Sequence, residues 1–421
     1  MRFNSVLAAW LLFFAASNAG VLADEPSGQP KPVPAGRVEM KQRLELLKGR
    51  QSRLPMPPGE SGGGASVNNA RMRQHYLPAE WFAGERRSLG GAPDELVDYE
   101  LKTKCFWVVS RGNNCHYCLG HQEHKLHMIG LGDDAVAALD HDWDTLDPRT
   151  RKAVQLARKM TLRPHELSTA DIEALRPEFD DPQIIELVYT IARFNATNRW
   201  TDAMGLPQDP EMRGESIAFL TPTDQRWRDA HALAAPDVSY ERSIPSVEEI
   251  DRGLRSAAER TPFVNLPSAS QARERLELPP DAAITDWHRA VATMVGGGPQ
   301  TVRNFEAMIY DEELSPGLKA RLLHRTAVLN RSWASLAAAE DRLSAIGATA
   351  EDATPIFGGE SVAVRFADKL TCSPYAISDA DVATLRDHFT DRQVAQIIHV
   401  VATGNAIDRF TETLGFSSTA R

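Results

Sequence analysis

The sequence of 421 residues predicts an all-α protein that contains two tandem copies of one helical unit. Three observations lead to this prediction. Apolar residues recur at helical spacing in most segments after Asn68. Alternating runs of Val, Ile and Thr, which are typical of strands, are nearly missing. One long segment also occurs twice, which is the mark of an internal repeat.

The first residues have the pattern of a secretory signal. Arg2 supplies a positive charge, Val6 to Ala16 form an apolar run too short to span a bilayer, and Val21-Leu22-Ala23 is a small-residue cleavage pattern. We therefore expect residues 1–23 to be a signal peptide and the mature chain to be exported, to a periplasm or to the outside, with no membrane span left. Disulfides persist in such compartments.

Composition shifts divide the remaining chain. Residues 24–66 are rich in proline and glycine and predict a disordered tether, within which Val38 to Leu54 has the composition of a short charged helix. We assign residues 67–208 to the first helical unit, residues 209–275 to a connector, and residues 276–421 to the second unit.

Charge and cysteine content exclude several classes of protein. The formal net charge of −10, the pI near 5.7 and the lack of a basic stripe disfavour nucleic-acid binding. Four cysteines are too few for a disulfide scaffold in a chain of this length. Cys105 and Cys372 are isolated and predict core residues, although a bridge between them stays open. No GxGxxG motif occurs, and we expect no cofactor.

The stretch with the most chemical content is SRGNNCHYCLGHQEHKLHMIG, residues 110–130. Asn113 and Asn114 are good N-cap residues and predict a helix from Cys115 onward. Cys115 and Cys118 would then lie in its first turn on neighbouring faces, where two thiols can close a disulfide. The positive end of the helix dipole also favours a thiolate there. The pattern predicts a redox-active dithiol.

Other uses of this stretch are weighed by geometry. Haem attachment needs a histidine directly after the second cysteine, where Leu119 stands. Cys115, Cys118, His121 and His124 are spaced three apart, so they drift by roughly 180° around a helix and cannot all reach one ion. No second CxxC completes a zinc site, and we expect no metal. An inert structural disulfide stays open.

The repeat aligns without a gap. Ala157 to Gly205 match Ala367 to Gly415 at a constant offset of 210 positions. Identical residues at equivalent positions include Lys159/Lys369, Thr161/Thr371, Ser168/Ser378, Asp171/Asp381, Asn195/Asn405 and Arg199/Arg409. We interpret the last two pairs as packing and helix–helix contacts.

The preceding halves of the two units align on Gly130 and Gly347. In this register, Ser332, Ser335 and Ala338 stand where the first unit has Cys115, Cys118 and His121. The scaffold has persisted while both sulfurs and the imidazole are gone. The sequence therefore predicts one active unit paired with one degenerate, structural unit.

These motifs resemble a known family. A helix that starts with NxCxYC, here Asn113 to Cys118, and a following FNxxNRxxDAxG helix, here Phe194 to Gly205, are similar to the alkylhydroperoxidase D / carboxymuconolactone decarboxylase family. The resemblance covers about Leu96 to Leu206, with Leu314 to Phe416 as a degenerate copy. It implies an all-α fold, commonly assembled into homo-oligomers, and thiol peroxidase chemistry in members with CxxC.

The resemblance also implies roles for the cysteines. Cys118 matches the peroxidatic thiol that attacks the hydroperoxide, and Cys115 the resolving thiol that closes the disulfide. The helix-end argument alone favours Cys115 as the thiol of lower pKa, because Cys115 is nearer the terminus. We follow the family, since a buried thiolate can be activated by a neighbouring base.

The proton relay departs from the family pattern. Gln122 stands at the position of the family histidine, and Thr103 at that of the family glutamate. His121, one residue early, can still reach the Cys118 sulfur as an i+3 neighbour. Glu100 can replace the glutamate only if the helix turns its carboxylate inward. Our candidate catalytic residues are therefore Cys118, Cys115, His121 and Glu100.

The sequence thus predicts an exported, thiol-dependent peroxidase that reduces hydroperoxides through a CxxC dithiol/disulfide cycle. Its partners would be a hydroperoxide substrate and an external dithiol reductant, with no nucleic acid. Three other readings stay open: an exported non-catalytic module with a structural disulfide, a thiol-disulfide oxidoreductase acting on proteins, and a carboxymuconolactone decarboxylase-like enzyme, although decarboxylase members generally lack the CxxC.

Overall fold

The computed structural model describes residues 31–34, 36–58, 67–83, 95–209, 232–240, 242–294, 297–349 and 357–419. The expected signal peptide, residues 1–23, lies outside these ranges. The described residues form helices, turns and loops and no strand, which confirms the predicted all-α class. No helix in this part of the chain is both long and apolar enough to cross a membrane.

Helices α1 to α8 belong to the first half of the chain: α1 Arg37–Leu46, α2 Asn68–Tyr76, α3 Tyr99–Gly112, α4 His116–Met128, α5 Asp133–His141, α6 Pro148–Leu162, α7 Thr169–Glu173 and α8 Asp181–Ala203. Helices α9 to α17 belong to the second half: α9 Val247–Glu259, α10 Ala269–Arg275, α11 Asp286–Val291, α12 Gly298–Tyr310, α13 Pro316–Asn330, α14 Trp333–Ala345, α15 Gly358–Cys372, α16 Asp379–Arg386 and α17 Asp391–Thr413.

Two sets of five helices correspond in order and nearly in length. Helices α3, α4, α6, α7 and α8 have 14, 13, 15, 5 and 23 residues, and α13 to α17 have 15, 13, 15, 8 and 23. The turns correspond as well: Asn114 and Arg331 adopt left-handed φ angles of 52° and 53°, and Gly130 and Gly347 adopt 96° and 73°. The backbone therefore supports the register in which the two copies were aligned.

The longest helices, α8 and α17, pack against each other between the two units. Both begin with a capping box and a residue that accepts a hydrogen bond from the third helical N–H, Asp180 in α8 and Thr390 in α17. Both are buried on most sides, as expected for a helix enclosed by others. The mutual contact of these twin helices forms the centre of the molecule.

Two buried arginines join the units reciprocally. Arg199 of α8 donates from Nη2 to the carbonyl oxygen of Thr371 at 3.2 Å, and Arg409 of α17 donates from Nε to that of Met160 at 2.9 Å. Each also donates to an asparagine one turn earlier on its own helix. The prediction that these repeated residues serve packing and helix–helix contacts is confirmed.

The segment expected to be a disordered tether is ordered in residues 31–34 and 36–58, packs on the first unit and also contacts the second through Arg53. Met40 and Leu44 of α1 are fully buried, and Arg53 donates to the carbonyl oxygens of Asp202 at 2.6 Å and Ile377 at 3.0 Å. The expectation of a disordered tether is therefore wrong for these residues. The composition predicts disorder because the segment has few apolar residues. These few residues are enough to hold it in place, since buried ion pairs supply the remaining contacts.

Those ion pairs form a cluster of four buried charges. Arg37 lies 2.6 Å from Glu123 and 3.1 Å from Asp133, and Lys41 lies 3.0 Å and 2.9 Å from the same two carboxylates. The indole N–H of Trp107 donates to Glu123 at 2.7 Å. Burial alone would raise the pKa of Glu123, but the charges of Arg37 and Lys41 and these hydrogen bonds outweigh it and hold that pKa far below its usual range.

Replacing Glu123 tests how strongly this cluster holds α1. Glu123→Gln leaves Arg37 and Lys41 buried without one counter-charge and should lower the free energy of unfolding by about 3–5 kcal/mol at neutral pH. The depressed pKa of Glu123 means that its contribution is complete above the unfolded value, near 4.3, and is lost as the pH falls through the folded value. Urea unfolding across a pH series measures both effects.

The matched control for this prediction is Glu100→Gln on the same unit. Glu100 is half exposed and pairs with Lys104 one turn away, so its loss should cost less than about 1 kcal/mol. Equal destabilisation by Glu123→Gln and Glu100→Gln would show that the buried cluster does not fix the N-terminal segment.

Candidate active site

The site lies at the turn between α3 and α4. Asn114 takes the left-handed conformation that asparagine tolerates better than most residues, which reverses the chain after α3. Cys115, and not the expected Asn113 or Asn114, is the N-cap of α4, with an extended ψ of 94°. Asn113 instead caps the end of α3 and donates its amide to Asn195 at 3.1 Å. Cys118 therefore falls in the first turn of α4, as predicted.

The two thiols meet at one hydroxyl group. Thr201 Oγ1, on α8, lies 3.2 Å from Cys115 Sγ and 3.1 Å from Cys118 Sγ. Both thiols are free and almost completely enclosed, with 0% and 2% of their surface exposed. The structure thus brings Cys115 and Cys118 side by side, as the spacing predicts, but beneath the surface.

The two thiols differ in acidity. Burial raises the pKa of both, but for Cys118 this is outweighed by hydrogen bonds from Cys115, Thr201 and Asn198 and by the charge of His121, so its pKa lies below the usual value. Burial and the neighbouring Cys118 hold the pKa of Cys115 well above the usual value. Cys118 is therefore the thiol that ionises first. The family-based assignment agrees with this order, and the argument from the helix end does not.

His121 lies beside Cys118 and is held by two acceptors. Its Nδ1 donates to the carbonyl oxygen of Tyr117 at 2.8 Å, and its Nε2 lies 2.6 Å from Asp209 Oδ2. The Tyr117 hydroxyl donates to the same carboxylate oxygen at 3.0 Å, and the backbone N–H of Asn68 donates to Asp209 Oδ1 at 2.6 Å. Since both ring nitrogens are engaged elsewhere, His121 makes no hydrogen bond to Cys118, and a positive charge on its ring lowers the pKa of that thiol.

The remaining candidate of the relay, Glu100, does not reach the site. It stands in the first turn of α3, half exposed and 2.6 Å from Lys104, whereas the cysteines follow the other end of that helix. The separation along the axis is roughly 15–20 Å, at about 1.5 Å per residue. Thr103 donates its hydroxyl to the carbonyl oxygen of Tyr99, and Gln122 donates to that of Cys118. The predicted role of Glu100 is therefore wrong.

The N-terminal segment covers the site from outside. Lys31 donates to the carbonyl oxygen of Asn114 at 3.0 Å and forms a buried ion pair with Asp202. The amide of Asn114 donates to the carbonyl oxygen of Pro32 at 3.1 Å. Residues 31–34 therefore lie across the turn that carries Cys115, which explains why its sulfur is sealed from solvent.

Within the described ranges of the chain, Glu123, His127 and Asp133 form one further group of residue types that can bind a metal ion, and they approach one another. Their carboxylates already bind Arg37 and Lys41, and those two positive charges oppose a cation there.

The two isolated cysteines are separate from the dithiol. Cys105 is fully buried and Cys372 is partly buried, and both are free thiols. Burial raises the pKa of each, which makes them poor nucleophiles.

Sequence reasoning missed three residues of the site. Thr201 can be found from the sequence, because the repeat aligns it with Thr411 and both copies therefore keep a hydroxyl group at this position. Asp209 was assigned to the connector, and Lys31 to the tether. Neither has a local pattern, since each reaches the site only through contacts far apart in sequence.

The second unit keeps the geometry without sulfur. Ser332 Oγ and Ser335 Oγ lie 2.8 Å and 3.0 Å from Thr411 Oγ1, as Cys115 and Cys118 lie about Thr201. The second unit therefore shows the same three-residue arrangement with hydroxyl groups in place of the thiols, and variants of it serve as controls for variants of the dithiol.

Thr201→Val tests the hydroxyl that both thiols share. Valine has a similar shape but cannot donate to a thiolate, so the pKa of Cys118 should rise. The pKa of Cys118 is measured by the ultraviolet absorbance of its thiolate across a pH series, after subtraction of the absorbance of the Cys118→Ser protein. Thr411→Val removes the equivalent hydroxyl from the second unit and should leave the titration unchanged. An unaltered Cys118 titration in Thr201→Val would contradict the assignment.

Comparison with known proteins gives limited similarity. No family model matches the chain. An uncharacterized protein, YdfG of Bacillus subtilis, is 28% identical over 101 residues, which is 23% of this chain and 68% of that protein. An uncharacterized peroxidase-related protein of Ralstonia eutropha JMP134, described as an alkylhydroperoxidase AhpD core, aligns with 47% of this chain and 100% of its own at 19% identity, with a TM-score of 0.32. A peroxidase-related protein of Silicibacter sp. TM1040 aligns with 46% of this chain and 98% of its own at 20% identity, with a TM-score of 0.31.

Proposed function

We propose that the protein is a thiol-dependent peroxidase that reduces hydroperoxides with the Cys115–Cys118 dithiol. The observation that carries the proposal is the pair of free thiols on one hydroxyl group, with the pKa of Cys118 lowered and that of Cys115 raised. A dithiol divided into one nucleophile and one protonated partner suits a two-step cycle in which each sulfur has its own role.

The first step is a displacement at oxygen. The Cys118 thiolate attacks the terminal oxygen of ROOH, the O–O bond breaks, and Cys118 becomes a sulfenic acid while the leaving alkoxide takes a proton to become ROH. In the second step, the Cys115 thiol attacks the sulfenic sulfur, which forms the disulfide and releases water. An external dithiol then gives two electrons and two protons to restore both thiols.

His121 and Asp209 support the first step without touching the sulfur. Two acceptors hold the imidazole, and its positive charge lowers the pKa of Cys118. The aromatic ring of Tyr117 lies against it, with centroids 4.3 Å apart, and its hydroxyl completes the Asp209 contacts. This arrangement takes the place of the family histidine, where Gln122 stands.

The enclosure of the thiols favours a small substrate. With 0% and 2% of their surfaces exposed, Cys115 and Cys118 are out of reach of a disulfide on the surface of a folded protein. A hydroperoxide needs a far narrower opening. This is why we prefer peroxide reduction to disulfide exchange with proteins, which remains the second candidate because both activities use the same thiols.

The place of action belongs to the same proposal. The N-terminal pattern of residues 1–23 supports export, and a catalytic dithiol in an oxidising compartment depends on a reductant delivered to it. By the same argument from enclosure, we expect the electron donor to be a small dithiol delivered to that compartment, because a dithiol on the surface of a folded protein would not reach the buried disulfide. A homo-oligomer is compatible with the family resemblance.

Peroxide consumption by the parent protein with a supplied dithiol tests the function. Cys118→Ser should reduce the rate to that of buffer, because the attacking sulfur is lost. Cys115→Ser should allow one turnover, with sulfenic acid on Cys118 detected by a dimedone adduct in mass spectrometry, and should then stop.

Two results would reject the peroxidase. One is a parent protein that consumes no peroxide while its Cys115–Cys118 pair is shown to be reduced. The other is activity that survives Cys118→Ser. Reduction of insulin disulfides without peroxide consumption would select the protein oxidoreductase. Ser335→Ala in the second unit is the matched control and should leave the peroxide rate unchanged.

His121→Gln tests the charge beside Cys118. Loss of the positive charge raises the pKa of Cys118, so the acid limb of the pH–rate profile should move to higher pH while the rate at high pH is largely kept. His124→Gln changes a histidine one turn away and should not move the limb. A uniform loss of rate at every pH would indicate a structural role for His121 instead.

A further inference from the structure

The second unit contains a cavity of about 460 Å³ at the place of the lost dithiol. Its lining includes Ser335, Thr411 and Asp408, which are the counterparts of Cys118, Thr201 and Asn198. Small-molecule sites in proteins commonly have volumes of about 300–1,000 Å³, with mostly apolar walls and few polar groups. The cavity therefore has the size of a ligand site, in the position where the other unit has its reactive centre.

Two alanines explain why this space is open. In the first unit, Tyr117 and His121 project from α4 and fill the region next to Cys118. Their counterparts on α14 are Ala334 and Ala338, and both line the cavity. The two alanines therefore leave space next to Ser335 that Tyr117 and His121 occupy next to Cys118.

The walls are aromatic and aliphatic. Trp287 and Phe305 lie with ring centroids 5.6 Å apart, and Phe416 also lines the cavity. Tyr310, which is 77% exposed, also lines it and marks the opening. Flat rings are best accommodated against such walls, because aromatic faces give large contact areas at low entropy cost.

One cation, Arg342, lines the cavity. Arg342, the counterpart of Lys125, lies over the Phe305 ring at 5.5 Å and donates Nη1 to the carbonyl oxygen of Ala338 at 2.9 Å. No carboxylate in the described residues forms an ion pair with it. Glu306 also lines the opening, but its side chain is exposed to solvent. Arg342 therefore has unused donors for an acidic group of an occupant.

The floor of the cavity is polar. Asp408 is buried and accepts a hydrogen bond from Asn330 Nδ2 at 2.8 Å. Burial raises the pKa of Asp408 to about 7, so that its carboxyl group can present either a donor or an acceptor near neutral pH. Together with Ser335 and Thr411, it offers hydrogen bonds to the inner end of an occupant.

We propose that the second unit binds a flat aromatic or conjugated organic anion in this cavity. The ring system lies between Trp287, Phe305 and Phe416, the acidic group meets Arg342, and a polar substituent meets Ser335 and Asp408. The unit that lost its sulfurs is, on this proposal, a binding unit and not only a structural partner. The site is independent of the thiol chemistry of the first unit.

A pair of fluorescent probes tests the proposal on the full-length protein. Anilinonaphthalene sulfonate is aromatic and anionic, and N-phenylnaphthylamine has the same rings without the charge. Fluorescence titration, with the stoichiometry checked by calorimetry, should show one site for each probe. Arg342→Gln should weaken the anionic probe about tenfold and the neutral probe less than twofold.

A second test of the proposal fills the cavity with larger side chains. Ala334→Tyr with Ala338→His installs the pair that the first unit holds at these positions and should weaken both probes at least tenfold. Ala345→His, at an exposed position two turns further along α14, is the matched control and should leave both affinities unchanged. Circular dichroism and thermal unfolding show whether each variant is folded. If the double variant does not fold, the single variant Ala338→Phe is used in its place to fill the cavity.

Three outcomes would overturn the proposal. They are no saturable binding of either probe to the parent protein, equal binding by the parent and a folded refilled variant, and equal effects of Arg342→Gln on the charged and neutral probes. The first two reject the cavity as a site, and the third rejects the preference for anions. Cys118→Ser should bind both probes as the parent does. The binding result therefore does not depend on whether the proposed peroxidase activity is found.

Discussion

The contact between α8 and α17 is the constraint on which the rest of the structure depends. Each of these helices supplies one wall of its own unit and the interface to the other, and the reciprocal bonds of Arg199 and Arg409 to carbonyl oxygens fix them together. Thr201 and Thr411 lie on the same two helices. The element that joins the units is therefore also the one that places the hydroxyl group in each site, so neither site can shift independently of the interface.

Patterns that are local or repeated made the fold predictable. Helical periodicity, the capping residues and the gapless repeat led to the all-α class and to the register of the two copies, which the equal backbone turns at Asn114 and Arg331 support. The pairing of Cys115 and Cys118 followed from a spacing of three residues, because helix geometry alone decides which side chains are neighbours at that range.

Contacts distant in sequence were not predictable from these patterns. Residue type alone favours Glu100, but α3 runs unbroken from Tyr99 to Gly112 and so holds Glu100 at the end away from the cysteines, where it pairs with Lys104. Asp209 reaches His121 across 88 positions of sequence, and Arg37 reaches Glu123 across 86. The composition of residues 24–66 indicated disorder because it shows few apolar residues, whereas what orders the described part is a set of charges whose partners lie in another element.

The buried charge cluster has a consequence for how the chain is made. Arg37 and Lys41 are synthesised long before Glu123 and Asp133, and a cation cannot leave water until its partner is in place. During synthesis the leading segment therefore stays hydrated while α3 to α5 assemble, and it docks afterwards as a closing piece. Because Lys31 and Pro32 share hydrogen bonds with Asn114, the docking of this segment also completes the cover over the turn that carries Cys115.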